Sequence, residues 1–439
     1  MRRLHQLRRL HRWPDGGVIP ARMTRLLYNL LLHLALPLII ARLWWRGRRE
    51  PGYRLDWAQR FGMYRAARAS ATPLFLVHAV SLGETRAAQP LIEALIARYP
   101  GHRLLVTQMT ATGRDAAQSL YGGKADLAWL PYDFPWAVAR FFDHYRPALG
   151  VLMETEVWPN LTLAAQRRGI PLLLANARMS EQSRAGYQRF GALTRASFAA
   201  LRVAAQAEAD AARLTALGAP DVRVTGNLKF DLVAPAGQAE ATLRPLFGTG
   251  KVFLAASTRE GEEALLLDAL ARTPLDAVTV IVPRHPQRFD AVAAMLEARA
   301  LPFTRRSENR LLPSGCRFVL GDSLGEMAAY YAACDCAFIG GSLLPLGGQN
   351  LIEACVVGTP VLTGPHTFNF ADAAEQAVAA GAAIRVADVD ALVSAAAALL
   401  ADAARREQMG AAARAFCAQH RGATARTMQV IETLLPVPR

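Results

Sequence analysis

Three short segments in the first half of the chain place reactive side chains where chemistry could be done. HAVSLGE (78–84) follows an apolar run and opens a helical pattern. Gly83 permits a tight turn, and Glu84 falls in the first helical turn, where free N–H groups and the positive helix end favour a carboxylate. That setting is expected to keep Glu84 ionised, the state a general base needs. It equally suits a plain helix-opening residue. METEVWPN (153–160) ends a second apolar run with two acids one residue apart. Such a pair must be solvated or partnered. Glu156 fits a capping role, which leaves Glu154 as the candidate functional acid. GNLKFD (226–231) offers Lys229, a cation able to oppose charge on a departing phosphate or simply a surface lysine.

The second half carries a composite set. PRHP (283–286) follows an apolar strand pattern, and Arg284 is its natural phosphate partner. Gly325, Glu326 and Met327 open a helix. GGSLLPLGGQNLIE (340–353) reads as strand end, glycine loop and helix, with Asn350, Leu351, Ile352 and Glu353 in the first turns. Loop amides and a helix N-terminus there can bind phosphate, and Glu353 can accept the hydroxyls of a ribose. The loop lacks the closing Lys-Ser/Thr of a P-loop and the GxGxxG dinucleotide pattern. No metal-binding signature is present, so no metal site is expected.

These segments need a scaffold that brings them to one edge. From residue 74 the chain alternates apolar runs with helical stretches. The strand expectations are 74–80, 103–108, 127–130, 148–153, 171–175, 201–205 and 222–224, then 251–257, 277–282, 316–320, 336–339, 360–363 and 382–385. Continuous apolar strands separated by helices imply parallel sheets covered on both faces, hence two doubly wound, Rossmann-like α/β domains. Pro235, Gly237, Pro245, Gly248 and Gly250 interrupt the alternation. The expected divisions are a basic extension (1–22), a membrane anchor (23–46), an N-terminal domain (47–235), a linker (236–250), a C-terminal domain (251–415) and a final helix (416–439). Ligands of such sheets bind beyond the carboxyl ends of the strands, so the expected active site is a cleft between the domains.

The 439 residues carry a formal net charge of +14, unevenly spread. Residues 1–68 hold 15 Lys and Arg against three acids, whereas the remainder is balanced to within +2. A nucleic-acid enzyme would line its groove with base; no nucleic-acid partner is expected here. The basic excess instead flanks LLYNLLLHLALPLIIA (26–41), the pattern of a segment held at an anionic cytoplasmic leaflet. At 16 uncharged residues the run falls short of the roughly 20 that a full span needs, so spanning and shallow insertion both stay open. Met23 is a candidate natural start. Five cysteines at no zinc spacing are read as free thiols.

Taken together, SLGE (81–84), LMETEVWPN (152–160), NARMS (176–180), GNLKFD (226–231), GGQN (347–350) and GPHTFNF (364–370) resemble the bacterial 3-deoxy-D-manno-octulosonic acid (Kdo) transferases of lipid A biosynthesis, from about residue 23 onward. The resemblance implies a GT-B fold and an inverting, metal-independent glycosyltransferase without a cofactor. Its donor would be CMP-Kdo and its acceptor the lipid A precursor (lipid IVA), at the cytoplasmic face of the Gram-negative inner membrane. It implies Glu84 as proton acceptor, with Glu154 and Lys229 stabilising the transition state. Pro283, Arg284, Gly325, Glu326, Met327, Asn350, Leu351, Ile352 and Glu353 would bind CMP. Arg259 departs from the family pattern, which more often has His. The alternative is another nucleotide-sugar enzyme of this architecture, a UDP-sugar transferase or a 2-epimerase.

Overall fold

In the computed structural model, residues 21–65, 72–232 and 243–435 are described. Most of the basic extension and residues 236–242 of the expected linker lie outside them. The chain forms two compact units, one running to Asn227 and rejoined by the segment from Thr424, the other spanning Leu228–Ala423.

The first unit begins with two helices, α1 (Ala21–Leu34) and α2 (Leu36–Arg49), bent by 49° at the junction. Alternation then sets in: β1 (Leu74–His78), α3 (Leu82–Ala87), α4 (Gln89–Arg98), β2 (Arg103–Gln108), α5 (Ala111–Tyr121), β3 (Asp126–Trp129), α6 (Pro135–Tyr145), β4 (Leu149–Met153), α7 (Pro159–Arg167), β5 (Leu172–Ala177), α8 (Glu181–Gln188), α9 (Gly191–Ala199), β6 (Leu201–Ala205), α10 (Glu208–Ala216) and β7 (Asp221–Val224). The strands pair in parallel in the order β3-β2-β1-β4-β5-β6-β7. Strand order therefore reverses between β1 and β4. All five residues of β1 and of β4 are buried, as a doubly covered sheet requires.

Sequence periodicity dictates how α1 and α2 dock. Thr24, Arg25, Tyr28, Asn29, Leu32, Leu36, Ile39, Leu43 and Gly47 recur at helical spacing and face the unit, wholly or partly buried. Leu32, Leu36, Ile39 and Leu43 pack with Tyr53, Phe61, Phe134 and Ala137. The opposite face is apolar yet exposed: Met23, Leu26, Leu27, Leu30, Leu31, Leu34, Leu38, Trp44 and Trp45. Among the described residues no single helix is long and apolar enough to cross a membrane. Just beyond α2, the buried Arg60 lies 3.8 Å over the Trp129 ring and donates to the Met109 carbonyl, which ties this segment to the sheet.

The second unit repeats the design: β8 (Val252–Thr258), α11 (Glu262–Arg272), β9 (Val278–Pro283), α12 (Phe289–Ala298), β10 (Phe303–Arg305), β11 (Phe318–Leu320), α13 (Met327–Ala333), β12 (Cys336–Ile339), α14 (Ile352–Val357), β13 (Val361–Thr363), α15 (Ala371–Ala379), β14 (Ala383–Arg385), α16 (Val389–Ala401) and α17 (Ala403–His420). Its parallel order is β10-β11-β9-β8-β12-β13-β14, with the reversal between β8 and β12. Val252, Leu254 and Ala256 enter one core, and Phe253 and Ala255 the other.

Four expectations need correction. β10 had not been anticipated. The stretch read as linker is not free chain where it is described, because Leu243 and Phe247 are buried in the second unit's core beside Phe230. That unit begins at Leu228, before the expected boundary. The C-terminal helices also divide. α17 stays with the second unit, while the chain of α18 (Ala423–Leu434) returns to the first, where Arg98 pairs with Glu432 and Arg426 donates to the Thr225 carbonyl.

Candidate active site

In the first unit the reversal of strand order opens a crevice between the loops that leave β1 and β4. Those loops carry Glu84 and Glu154. Ser81 caps α3, its hydroxyl oxygen accepting the Glu84 N–H at 3.4 Å. The Glu84 carboxylate folds back to accept the Val80 N–H at 2.8 Å and the Ser81 hydroxyl at 3.2 Å. Both bonds favour the anion. Burial and the charge of Glu154 outweigh them and, with a further contribution from Glu156, push the Glu84 carboxyl up to about 8. The expectation of a carboxylate held ionised by its helix end is thus reversed: at neutral pH Glu84 mostly carries its proton.

Glu154 sits at φ 58°, a left-handed backbone that non-glycine residues rarely adopt, and its N–H donates to the Ala175 carbonyl of β5. Strain of this kind persists only where the surroundings impose it, commonly at functional sites. Glu156 has a structural partner, its carboxylate accepting the Trp158 indole N–H at 2.8 Å. Glu156 does not cap α7, whose N-cap position is Trp158; it holds the Trp158 ring instead.

Lys229 belongs to the second unit. It lies in the short turn Leu228–Asp231, its ammonium 5.4 Å from the centre of the Phe370 ring. Asp231 of the same turn accepts the Gly422 N–H.

In the second unit the crevice at β8 and β12 brings Arg284 to the glycine loop. Arg284 follows β9 and donates through Nε to Gln349 Oε1 at 3.2 Å. Arg284, Arg259 and Arg288 all bear on His285, whose pKa falls through burial and then these charges; Arg288 is paired with the buried Glu263 at 3.0 Å, which leaves Arg259 and Arg284 as the candidates to meet an anion. Pro283 is buried at the end of β9. Glu326 stands at the N-cap position of α13 but turns its carboxylate to Arg306 at 2.9 Å and away from the helix amides, while Gly325 supplies the positive φ of 88° before it. Met327 packs against the core.

The glycine loop departs from expectation in two ways. Its helix begins at Ile352 and is short, so the loop itself extends through Leu351. Several loop amides also have partners already. Gly348 and Gln349 donate to the carbonyls of Gly341 and Gly340, and Gly341 and Leu343 donate to Glu262 at 2.6 and 3.0 Å. Leu351 and Ile352 are core side chains, which leaves only their main chain for a ligand. Asn350 orients Glu353 through a 3.0 Å bond from Nδ2 to the carboxylate.

Glu262 is the residue that reading for chemistry missed. It is 1% exposed and also accepts the Arg259 N–H at 2.9 Å, joining the loop after β8 to the loop after β12. Its signal was present: REGE (259–262) follows the first strand of the second unit as SLGE (81–84) follows that of the first. Gly340 is equally constrained, since a Cβ there would stand 2.5 Å from the Ser257 carbonyl oxygen. Among the described residues no group of three or more His, Cys, Asp or Glu is placed to hold a metal ion.

Residues 55–232 match the family described as 3-deoxy-D-manno-octulosonic-acid transferase (kdotransferase), and residues 297–416 match glycosyl transferases group 1. A 3-deoxy-D-manno-octulosonic acid transferase of Bordetella pertussis is 48% identical over 94% of this chain and 100% of its own. One from Haemophilus influenzae is 35% identical over 94% of this chain and 99% of its own. Among solved structures, Anabaena Alr3699/HepE in complex with UDP aligns with a TM-score of 0.55 at 16% identity, covering 83% of this chain and 99% of that one. UDP-GlcNAc 2-epimerase from Neisseria meningitidis aligns at 0.57 and 15% identity, covering 82% and 100%. These two establish the GT-B fold class alone. The paired crevices and the full-length relatives lead to one conclusion: the chain belongs to the 3-deoxy-D-manno-octulosonic acid transferases, glycosyltransferases of lipopolysaccharide biosynthesis.

Proposed function

We propose that the chain transfers Kdo from CMP-Kdo to the lipid A precursor by one displacement that inverts the anomeric centre, with Glu84 as general base. The observation that carries this reading is Glu84 beside Glu154 at the β1/β4 crevice, its basicity raised toward that of a working base. In the ionised form Glu84 takes the proton of an acceptor hydroxyl as that oxygen bonds to the anomeric carbon. The bond from that carbon to the phosphate oxygen breaks, and CMP leaves with the electron pair. Positive charge developing on the sugar ring is opposed by Glu154. Negative charge on the phosphate is opposed by Lys229 and Arg284, and Glu353 receives the ribose hydroxyls. CMP carries a single phosphate, so this scheme assigns its charge to side chains and invokes neither metal nor cofactor.

The reading places the enzyme on the cytoplasmic face of the inner membrane. Support comes from α1 and α2, which dock by one face and expose an apolar opposite face ending in Trp44 and Trp45, with Arg48 and Arg49 stacked over those rings. A helix pair so arranged suits lying in the interface better than spanning it.

The test is incubation of purified protein with CMP-Kdo and lipid A precursor, with the product weighed by mass spectrometry. Added Kdo is expected, with turnover abolished in Glu84→Gln while CMP affinity by calorimetry is nearly intact. Activity of that variant within tenfold of wild type removes Glu84 from its role. UDP competing as well as CMP moves the chain to the UDP-sugar enzymes.

A further inference from the structure

A cavity of about 470 Å³ opens in the first unit between α1, α7 and α9. Arg22, Arg25 and Arg167 line it together with Leu26, Leu163 and Leu193, and among the described residues no carboxylate lines it. Arg25 is fixed there, its Nε donating to Asn160 Oδ1 at 3.1 Å. Burial and the neighbouring Arg167 charge both disfavour its cation, and Asp133, which it also faces, offsets them only in part. Arg22 and Arg167 are exposed, and among the described residues neither has an acidic partner. Three guanidinium groups gathered over an apolar floor repel one another unless an anion joins them.

We propose that this cavity takes the phosphate headgroup of an anionic membrane lipid. Arg22, Arg25 and Arg167 hold the phosphate, whose planar, multidentate recognition suits guanidinium groups. Leu26 both lines the cavity and belongs to the exposed stripe with Met23, Leu27 and Leu30, so the lipid's chains continue from the cavity along apolar surface. A cavity of this volume with apolar walls matches a headgroup and its first carbons better than an isolated phosphate ion. The proposal rests on the reading that α1 and α2 lie on the bilayer, and adds a specific headgroup site to it.

Flotation of the full chain with vesicles of phosphatidylcholine, alone or mixed with phosphatidylglycerol, tests it. Wild type is expected to bind the mixed vesicles at least about tenfold more strongly. Arg22→Gln/Arg167→Gln should lose most of that preference. Arg146→Gln/Arg189→Gln, which removes equal charge from positions outside both the cavity and the apolar stripe, should keep most of it. Short-chain phosphatidylglycerol should compete, and millimolar inorganic phosphate should not. Equal losses in the two double variants overturn the headgroup site. Inorganic phosphate competing as well as the short-chain lipid assigns the cavity to free phosphate and overturns it equally. Wild type binding neither vesicle instead sinks the membrane reading on which the proposal stands.

Discussion

The raised pKa of Glu84 makes the pH profile the sharpest probe of the mechanism. With the carboxyl near 8, the anion that accepts the acceptor's proton amounts to about one molecule in ten at pH 7 and about nine in ten at pH 9. kcat/KM should therefore rise about tenfold per pH unit below pH 7 and level off above 8. Glu154→Gln removes the second cause of the shift and leaves the first, burial. The inflection should move below 8 yet stay above the ordinary carboxylate value of 4.5. The plateau should also fall, since Glu154 opposes charge on the sugar ring, so the inflection and not the amplitude is the readout. The assay is initial-rate product formation at subsaturating donor from pH 5.5 to 9.5. A wild-type profile flat between pH 6 and 9, or an inflection unmoved in Glu154→Gln, refutes the reasoning. Stability supplies an independent check. Because the folded carboxyl binds its proton more tightly than the unfolded one, its contribution is complete below 4.5 and is lost as pH rises through 8. Denaturant titrations should show wild type losing up to about 1.4 kcal/mol per pH unit across that window relative to Glu84→Gln.

Other substitutions probe the second crevice and the docking of α1. Glu262→Gln replaces an acceptor of three N–H groups with one that also presents a donor, at a cost of about 1–3 kcal/mol; calorimetry should show CMP affinity reduced about tenfold or more. Gly340→Ala forces a Cβ against the Ser257 carbonyl and should cost at least about 1–3 kcal/mol in thermal unfolding, with CMP binding weakened. Lys229→Met should lower kcat about 10²–10³-fold with CMP affinity changed less than tenfold; steady-state kinetics with calorimetry separates the two. Asp133 accepts the Asn160 and Leu161 N–H groups and the Tyr28 hydroxyl. Asp133→Asn should expose residues 21–34 to hydrogen exchange ahead of the β-sheet.

Most of the scaffold was legible because strands buried on both faces are continuous apolar runs, and the central strands of both parallel sheets are such runs. β10 escaped because three residues of which only Phe303 is apolar carry no such signal. Proline and glycine made 236–250 look like free chain, but composition does not reveal that Leu243 and Phe247 are covered by distant strands. Spacing suggested a helix-capping role for Glu156, but the ring it accepts from, Trp158, comes within reach only through the turn after β4. Nor could spacing foresee the protonation of Glu84, because the helix end acts from within the segment while Glu154 lies 70 positions away.

The order of residue types along the chain determined two parallel-sheet domains, the loops that leave their strands, the acids and bases those loops carry, and a basic, apolar leading segment. Tertiary structure decided what each carboxylate became. Glu84 and Glu262 stand at matching places after the first strand of each sheet. Glu262 is sealed beneath the amides of the glycine loop and holds that loop, whereas Glu84 is left partly open beside another acid, which raises its affinity for a proton. Local sequence sets where a carboxylate sits; desolvation and the charges that folding brings to it set whether it holds structure or moves a proton.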